Sequence, residues 1–232
     1  MNLCREDFLK DYYEKVYDKY LFDRSLQSRG IRYFESLLEK HWATDSQIIN
    51  VLEVGAGKGE HLSYVKSFPS QSYVALDLRK IEVDVTPLGL HPDFQKVIQF
   101  RQGDVHRLDF EDEYFDRVSS TCLFHHLEDP LKALYEIRRV TKVGGQIRIA
   151  MPTDPGIANQ FVKRIVSYPR LRKMTSYDPK LIYALEHRNH IGGLIQLIKT
   201  VFDGDSLQFE YYPFKIRSWN LNLAVVAGIT VR

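Results

Sequence analysis

Five short apolar runs, each closed by a turn, dominate the middle of this chain: IINVLEVG, SYVALDL, VIQFRQGD, DRVSSTCLF and GGQIRIAMP. Runs of roughly four to eight residues separated by helix-length segments predict parallel strands with crossover helices, because a tight turn cannot join a parallel pair. The best-marked crossover follows Asp129-Pro130, an N-cap residue before a proline at the first helical position. Leu131, Leu134, Ile137 and Val140 then recur every third residue, and Gly144-Gly145 is expected to end the helix. Upstream, about 5–22 and 25–42 read as two helices, with Tyr13, Tyr17 and Tyr20 on one face. Downstream, about 155–200 reads as helical with proline breaks. SLQFEYYPFKI and LNLAVVAGITVR then close the chain as two β-rich runs, making seven strands that end in a hairpin.

Composition narrows the class. A chain of 232 residues fits a single domain and can bury a sizeable core without a metal or disulfide staple. Its 32 basic and 30 acidic residues give a net charge of +2, which argues against binding nucleic acid by bulk charge. Cys4 and Cys122 lie too far apart in sequence to suggest a disulfide framework, and a reducing compartment is the natural reading. The charged amino terminus does not resemble a secretory signal, and no run approaches the roughly 18 apolar residues of a membrane helix, so a cytoplasmic location is expected.

The strongest local motif is VLEVGAGKGEH, a strand running into Gly55-Ala56-Gly57-Lys58-Gly59 and then into an expected helix. Glycines permit a sharp turn and a close ligand approach. The G-x-G-x-G spacing differs from the G-x-G-x-x-G that seats a pyrophosphate, and a purely structural turn is the competing reading. Asp77 ends the second run, where a carboxylate can accept both hydroxyls of a ribose. Asp104 follows the third run in GDVHRLDF, and FDRVSSTCLFHHLEDP contains the fourth.

With these four ordered motifs, residues 48–152 resemble the class I S-adenosylmethionine-dependent methyltransferases, particularly the small-molecule branch with ubiquinone- and menaquinone-type methylases. The resemblance implies a Rossmann-like α/β fold: a seven-stranded sheet in the order 3-2-1-4-5-7-6, strand 7 antiparallel, with helices on both faces. It also implies a single methyltransferase domain over 1–232, with a helical lid at 1–45 and a helical acceptor-binding cap at 155–200. By the same resemblance, Glu53, Gly55, Ala56, Gly57 and Gly59 hold the methionine part of S-adenosylmethionine. Asp77 takes the ribose and Leu78 packs on adenine. Asp104 and Val105 meet the adenine edge, and Thr121 and Cys122 pass the cofactor's amino group. Lys142-Val143-Gly144-Gly145 departs from the family's Lys-Pro-Gly-Gly. Tyr13, Tyr17, Tyr20 and Arg29 are further candidate cofactor contacts, with plain packing the rival reading for the tyrosines.

Methyl transfer to a neutral hydroxyl needs a base, and histidine serves near neutral pH. His125 and His126 follow the fourth run. His187 and His190 lie in EHRNH within the expected cap, three apart and able to share a helix face; without a third ligand no metal is assigned. Between Pro155 and Thr200 eight basic residues face two acidic ones, which suits an anionic acceptor such as a phosphorylated or nucleotide sugar or a lipid-linked glycan. A solvated basic face is the alternative. The expected activity is O-methylation of a small molecule, with S-adenosylhomocysteine as product. The alternatives are a non-catalytic S-adenosylmethionine-binding partner protein or an RNA methyltransferase, and a nicotinamide oxidoreductase is disfavoured by the glycine spacing and terminal hairpin.

Overall fold

The structure is a computed structural model that describes residues 5–21, 26–40, 42, 48–80 and 83–232. Cys4 lies outside them. The seven strands are β1 (Asn50–Val54), β2 (Ser72–Asp77), β3 (Ile98–Gln102), β4 (Phe115–Thr121), β5 (Thr141–Pro152), β6 (Ser206–Tyr212) and β7 (Ala224–Thr230). They form one sheet in the order β3-β2-β1-β4-β5-β7-β6. β1 to β5 are parallel, and β7 runs antiparallel to both β5 and β6. The strand order and the antiparallel seventh strand are as expected.

Side-chain alternation explains why helices cover both faces. Leu52, Val54, Val74, Leu76, Ile147, Ile149, Val225 and Ala227 point into one core, shared with α5 (Pro130–Val140) and α9 (Ile191–Val201). Their neighbours Val51, Tyr73 and Ala75 point to the opposite face, towards Leu62 and Phe94 of α4 (Pro92–Val97). On that second face Ala150, Ala224 and Val226 meet Leu37 and Leu38 of α3 (Leu26–Leu38). A period of two that is apolar on both faces requires burial on both sides.

Three local expectations change. The segment after Gly59 is a short 3-10 helix, Glu60–Tyr64, and not an α-helix. α5 ends at Val140 rather than at Gly144-Gly145, and β5 begins at once, with the Thr141 hydroxyl donating to the Ile137 carbonyl. Lys142 to Gly145 instead loop out of the ladder, which pairs Phe115 with Thr141 and then Arg117 with Gln146. The first helix is α1 (Arg5–Tyr12), a π-helical turn Tyr13–Tyr17 and α2 (Asp18–Leu21).

That π turn accounts for a fourth difference. The inward stripe is Phe8, Tyr12, Val16 and Tyr20, spaced by four and packed against Leu171 and Ile182. In an α-helix a four-residue step overshoots a full turn by about 40°; the wider π turn absorbs the overshoot and keeps the stripe aligned. Tyr13 and Tyr17 lie beside it, their rings tilted by 55° with centroids 4.6 Å apart. The partners of this stripe come from α7 (Tyr168–Met174) and α8 (Pro179–Glu186), so the amino-terminal helices share a core of their own with these two, while α6 (Ile157–Val162), which runs on towards α7, has no buried residue.

Candidate functional site

At the carboxyl ends of β1 and β2 the chain turns sharply through its glycine-rich segment. Gly55, Gly57 and Gly59 all have positive φ, at 72°, 53° and 75°. The Gly55 and Ala56 amides donate to the Leu76 carbonyl. The Gly57 amide donates to Asp77 Oδ2 at 3.0 Å, and the Arg79 amide to Oδ1 at 2.9 Å. Asp77 therefore faces a cleft of about 470 Å³ lined by Gly57, Ala75, Asp77, Arg79, Lys80, Val83, Phe100, Arg101 and Gln102. Leu78 is 68% exposed beside it. Arg79 lies 6.0 and 5.6 Å from the Tyr13 and Tyr17 ring centroids, which brings the amino-terminal helices over this end of the sheet. A larger cleft of about 670 Å³ lies by Leu108, Phe110 and Tyr114, but its central charges, Arg139 and Glu136, are committed to each other.

The expected methionine-binding set divides in two. Gly55 and Gly57 shape the turn, whereas Glu53 is buried beneath it and accepts the Tyr73 hydroxyl at 2.8 Å. Ala56 packs in the core, and a Cβ on Gly59 would meet Leu62 at 2.9 Å, so that glycine serves packing. Around Glu53 runs a buried polar network of His61, Tyr73, Glu39 and Glu35. His61 bonds Tyr73 at 3.1 Å and pairs with Glu39 at 3.2 Å. Burial pulls its pKa down, but Glu53 and Glu39 outweigh that and raise it well above normal. Burial also pushes the Glu35 carboxyl up to about 8.

Thr121 donates its hydroxyl to Glu35 at 3.0 Å. Cys122 has φ of 52°, its amide is used by the Ala150 carbonyl, and burial pushes its thiol pKa up. Asp104 accepts from the His106 amide and ring, and the Val105 side chain is buried.

Three of the four candidate histidines converge. Ring centroids are 3.9 Å apart for His125–His126, 4.4 Å for His125–His187 and 5.3 Å for His126–His187. The backbone explains the meeting: the His125 carbonyl accepts the Arg188 and Asn189 amides, pinning the segment after α8 to the β4–α5 turn. His126 Nδ1 donates to the Glu186 carbonyl at 3.0 Å and His187 Nδ1 to Asp154 at 2.8 Å, so both leave Nε2 as an acceptor. Burial, then the neighbouring His187, holds the His126 pKa down to about 3, and burial lowers the other two. Asp154 also pairs with Lys163. Burial would raise its carboxyl, but His187 and Lys163 hold it at about 2. Burial pushes the Glu186 carboxyl up to about 7 despite bonds from Tyr13 and Tyr12.

His190 does not join them. His187 ends α8 while His190 begins α9, where its Nδ1 caps the Gly193 amide at 3.1 Å, so the two do not share a helix face. Arg29 is an exposed position of α3. Of the eight bases at 155–200, Lys163 pairs with Asp154, Arg188 with Glu128, and Arg170 bonds the Tyr20 carbonyl, which leaves a smaller basic face than the count implied. Sequence reasoning gave no role to Asp154 or Glu35, and counted Lys163 and Glu186 only in the charge of the 155–200 segment. Asp154 alone carried a usable signal, being a carboxylate just past a parallel strand.

The cleft fits a nucleoside cofactor with a free ribose diol. Asp77 presents acceptors at its rim, Phe100 and Ala75 offer apolar surface for a base, and the positive-φ turn lets a ligand come close. This is the Rossmann-like fold of the class I S-adenosylmethionine-dependent methyltransferases. Residues 52–149 match the family described as a methyltransferase domain. It is 30% identical over 118 residues to the Bacillus subtilis methyltransferase YcgJ, covering 50% of this chain and 46% of that one. It is 31% identical over 105 residues to demethylmenaquinone methyltransferase of Renibacterium salmoninarum, covering 45% and 42%. The solved 1,6-didemethyltoxoflavin-N1-methyltransferase of Burkholderia thailandensis, with bound S-adenosylhomocysteine, superposes with a TM-score of 0.59 at 16% identity, over 98% of this chain and 87% of that one. The chain spans about half the length of the curated relatives it matches. Among the described residues no helix is long and apolar enough to cross a membrane.

Proposed function

We propose that this chain methylates an oxygen of a small-molecule acceptor, with S-adenosylmethionine as donor and the histidine cluster on the acceptor side. S-adenosylmethionine supplies an electrophilic methyl group on a sulfonium. Asp77 holds the ribose hydroxyls, the Gly55–Gly59 turn admits the ligand, and the tyrosines over Arg79 shut out water. The observation that carries the reading is the Nε2 of His126, left as an acceptor by its bond to the Glu186 carbonyl and placed just past β4. Burial keeps the ring neutral, so Nε2 can accept a hydrogen bond from the acceptor hydroxyl, and His187 backed by Asp154 is the neighbouring site.

The acceptor reads as anionic or sugar-like on narrower support than the sequence suggested: Arg164, Arg172, Lys173, Lys180 and Lys199 are exposed, and the exposed Arg188 is paired with Glu128. The helices at the amino terminus and at 155–200, joined in one core through α7 and α8, act as lid and cap. The test is S-adenosylhomocysteine release from S-adenosylmethionine with a panel of phosphorylated sugars, nucleotide sugars, lipid-linked glycans and neutral phenols. Release with no member above background, from folded chain that binds S-adenosylhomocysteine, overturns the proposal in favour of a binding-only partner protein.

A further inference from the structure

We infer that His125, His126 and His187 bind one divalent first-row metal ion, zinc above all, through three imidazole nitrogens at the end of β4. One ring nitrogen from each lies within 4.8 Å of the others. The ligands come from two distant segments that the Arg188 and Asn189 amides clamp together on the His125 carbonyl. Each of two rings is oriented from behind: His187 by the Asp154 carboxylate at 2.8 Å and His126 by the Glu186 carbonyl at 3.0 Å. Such a partner fixes the tautomer, leaves Nε2 for the ion and raises ligand basicity. His125 is 4% exposed, and its Nδ1 is buried with no partner. A buried nitrogen without a bond is disfavoured, and a metal ligand removes that cost.

Charge and donor type agree. The Lys163 ammonium, which would repel a cation, is neutralised by Asp154. The Glu186 carboxylate is buried nearby, with Oε1 unpaired. Three neutral imidazoles suit zinc or cobalt and not magnesium or calcium, which take oxygen ligands. A tetrahedral zinc needs nitrogens about 3.3 Å apart, so the widest pair must close up on binding, and a fourth position stays open to an acceptor oxygen. The second cluster of the same kind, Glu35, Glu53 and His61, is already occupied by its bonds to Thr121 and Tyr73. An ion on the Nε2 atoms of His126 and His187 would use the lone pairs assigned above to the acceptor hydroxyl, so in the loaded chain the ion would polarise the acceptor oxygen at its open position in place of a histidine base. Ion binding is read without turnover, so its failure is distinguishable from failure of the methyl-transfer reading.

The experiment is titration of metal-stripped chain with cobalt(II), followed by visible absorption. The expected result is one ion per chain, with d–d bands of a four- or five-coordinate site, no sulfur-to-metal charge-transfer band, and displacement by equimolar zinc. His187→Gln, at the edge of the cluster, should abolish the bands while circular dichroism and S-adenosylhomocysteine affinity stay as in the parent; His126→Gln repeats the comparison if that variant unfolds. Asp154→Asn should weaken cobalt binding by about 10- to 100-fold. No band at stoichiometric cobalt overturns the inference. Bands that survive the double His126→Gln, His187→Gln substitution, or a charge-transfer band that disappears with Cys4→Ser or Cys122→Ser, overturn it equally.

Discussion

The Asp77 carboxylate accepts the Gly57 amide hydrogen at 3.0 Å, so the acid that ends β2 and the turn that ends β1 form one unit. Its second oxygen takes the Arg79 amide, which starts the segment beneath Tyr13 and Tyr17. The carboxylate at the end of β2, the glycine turn and the amino-terminal helices are thereby linked through a single side chain.

Asp77→Ala should weaken S-adenosylhomocysteine binding by on the order of 1.5–3 kcal/mol, because two hydroxyl donors lose a charged partner. Calorimetry reads this directly, and Asp77→Asn should fall between the two. An unchanged dissociation constant in the folded Asp77→Ala chain would place the ribose elsewhere.

Gly59→Ala tests the turn itself. With φ at 75° and a new Cβ 2.9 Å from Leu62 and 3.3 Å from Phe100, the residue is strained twice over. A loss of about 1–3 kcal/mol is expected, seen as a Tm drop of roughly 2–4 °C per kcal/mol. A Tm within error of the parent would mean the turn relaxes freely.

The histidines should separate by what they change. His190→Ala removes a helix cap and should cost about 0.5–2 kcal/mol of stability, with kcat near the parent value. His126→Ala should lower kcat roughly 100-fold or more while cofactor affinity holds. Equal kcat in parent and His126→Ala would remove the base from the proposal.

Stability should depend on pH in two opposite senses. Glu35 and Glu186 have folded pKa values raised to about 8 and about 7, so their contribution is full below the unfolded carboxyl value and is lost as pH rises through 7 and 8. His126, depressed to about 3, contributes fully above the unfolded histidine value and loses that contribution as pH falls towards 3. The Tm should therefore fall from about pH 6.5 to 9. Glu35→Gln, which cannot ionise, should flatten that fall, and an identical slope in the variant would show that Glu35 is not held protonated.

The order of elements was legible because local chemistry writes it. Asp129-Pro130 starts α5 through capping that involves only its own turn, and the two-residue alternation of β1, β2 and β5 marks strands buried on both faces. The glycine turn and Asp77 were readable for the same reason, since each occupies a strand end. Tertiary structure alone decided the rest. The helix expected after Gly59 became a 3-10 turn, with Leu62 tucked under the glycine. His187 joined histidines some sixty residues upstream while His190, three residues on, turned away to cap a helix. Glu53 was drawn into a buried network with Tyr73 and His61, and Lys163 was taken from the basic face by Asp154. Pairings between distant segments, and the desolvation that sets the charge of each buried group, depend on which surfaces meet when the chain packs; spacing along the chain carries no record of that.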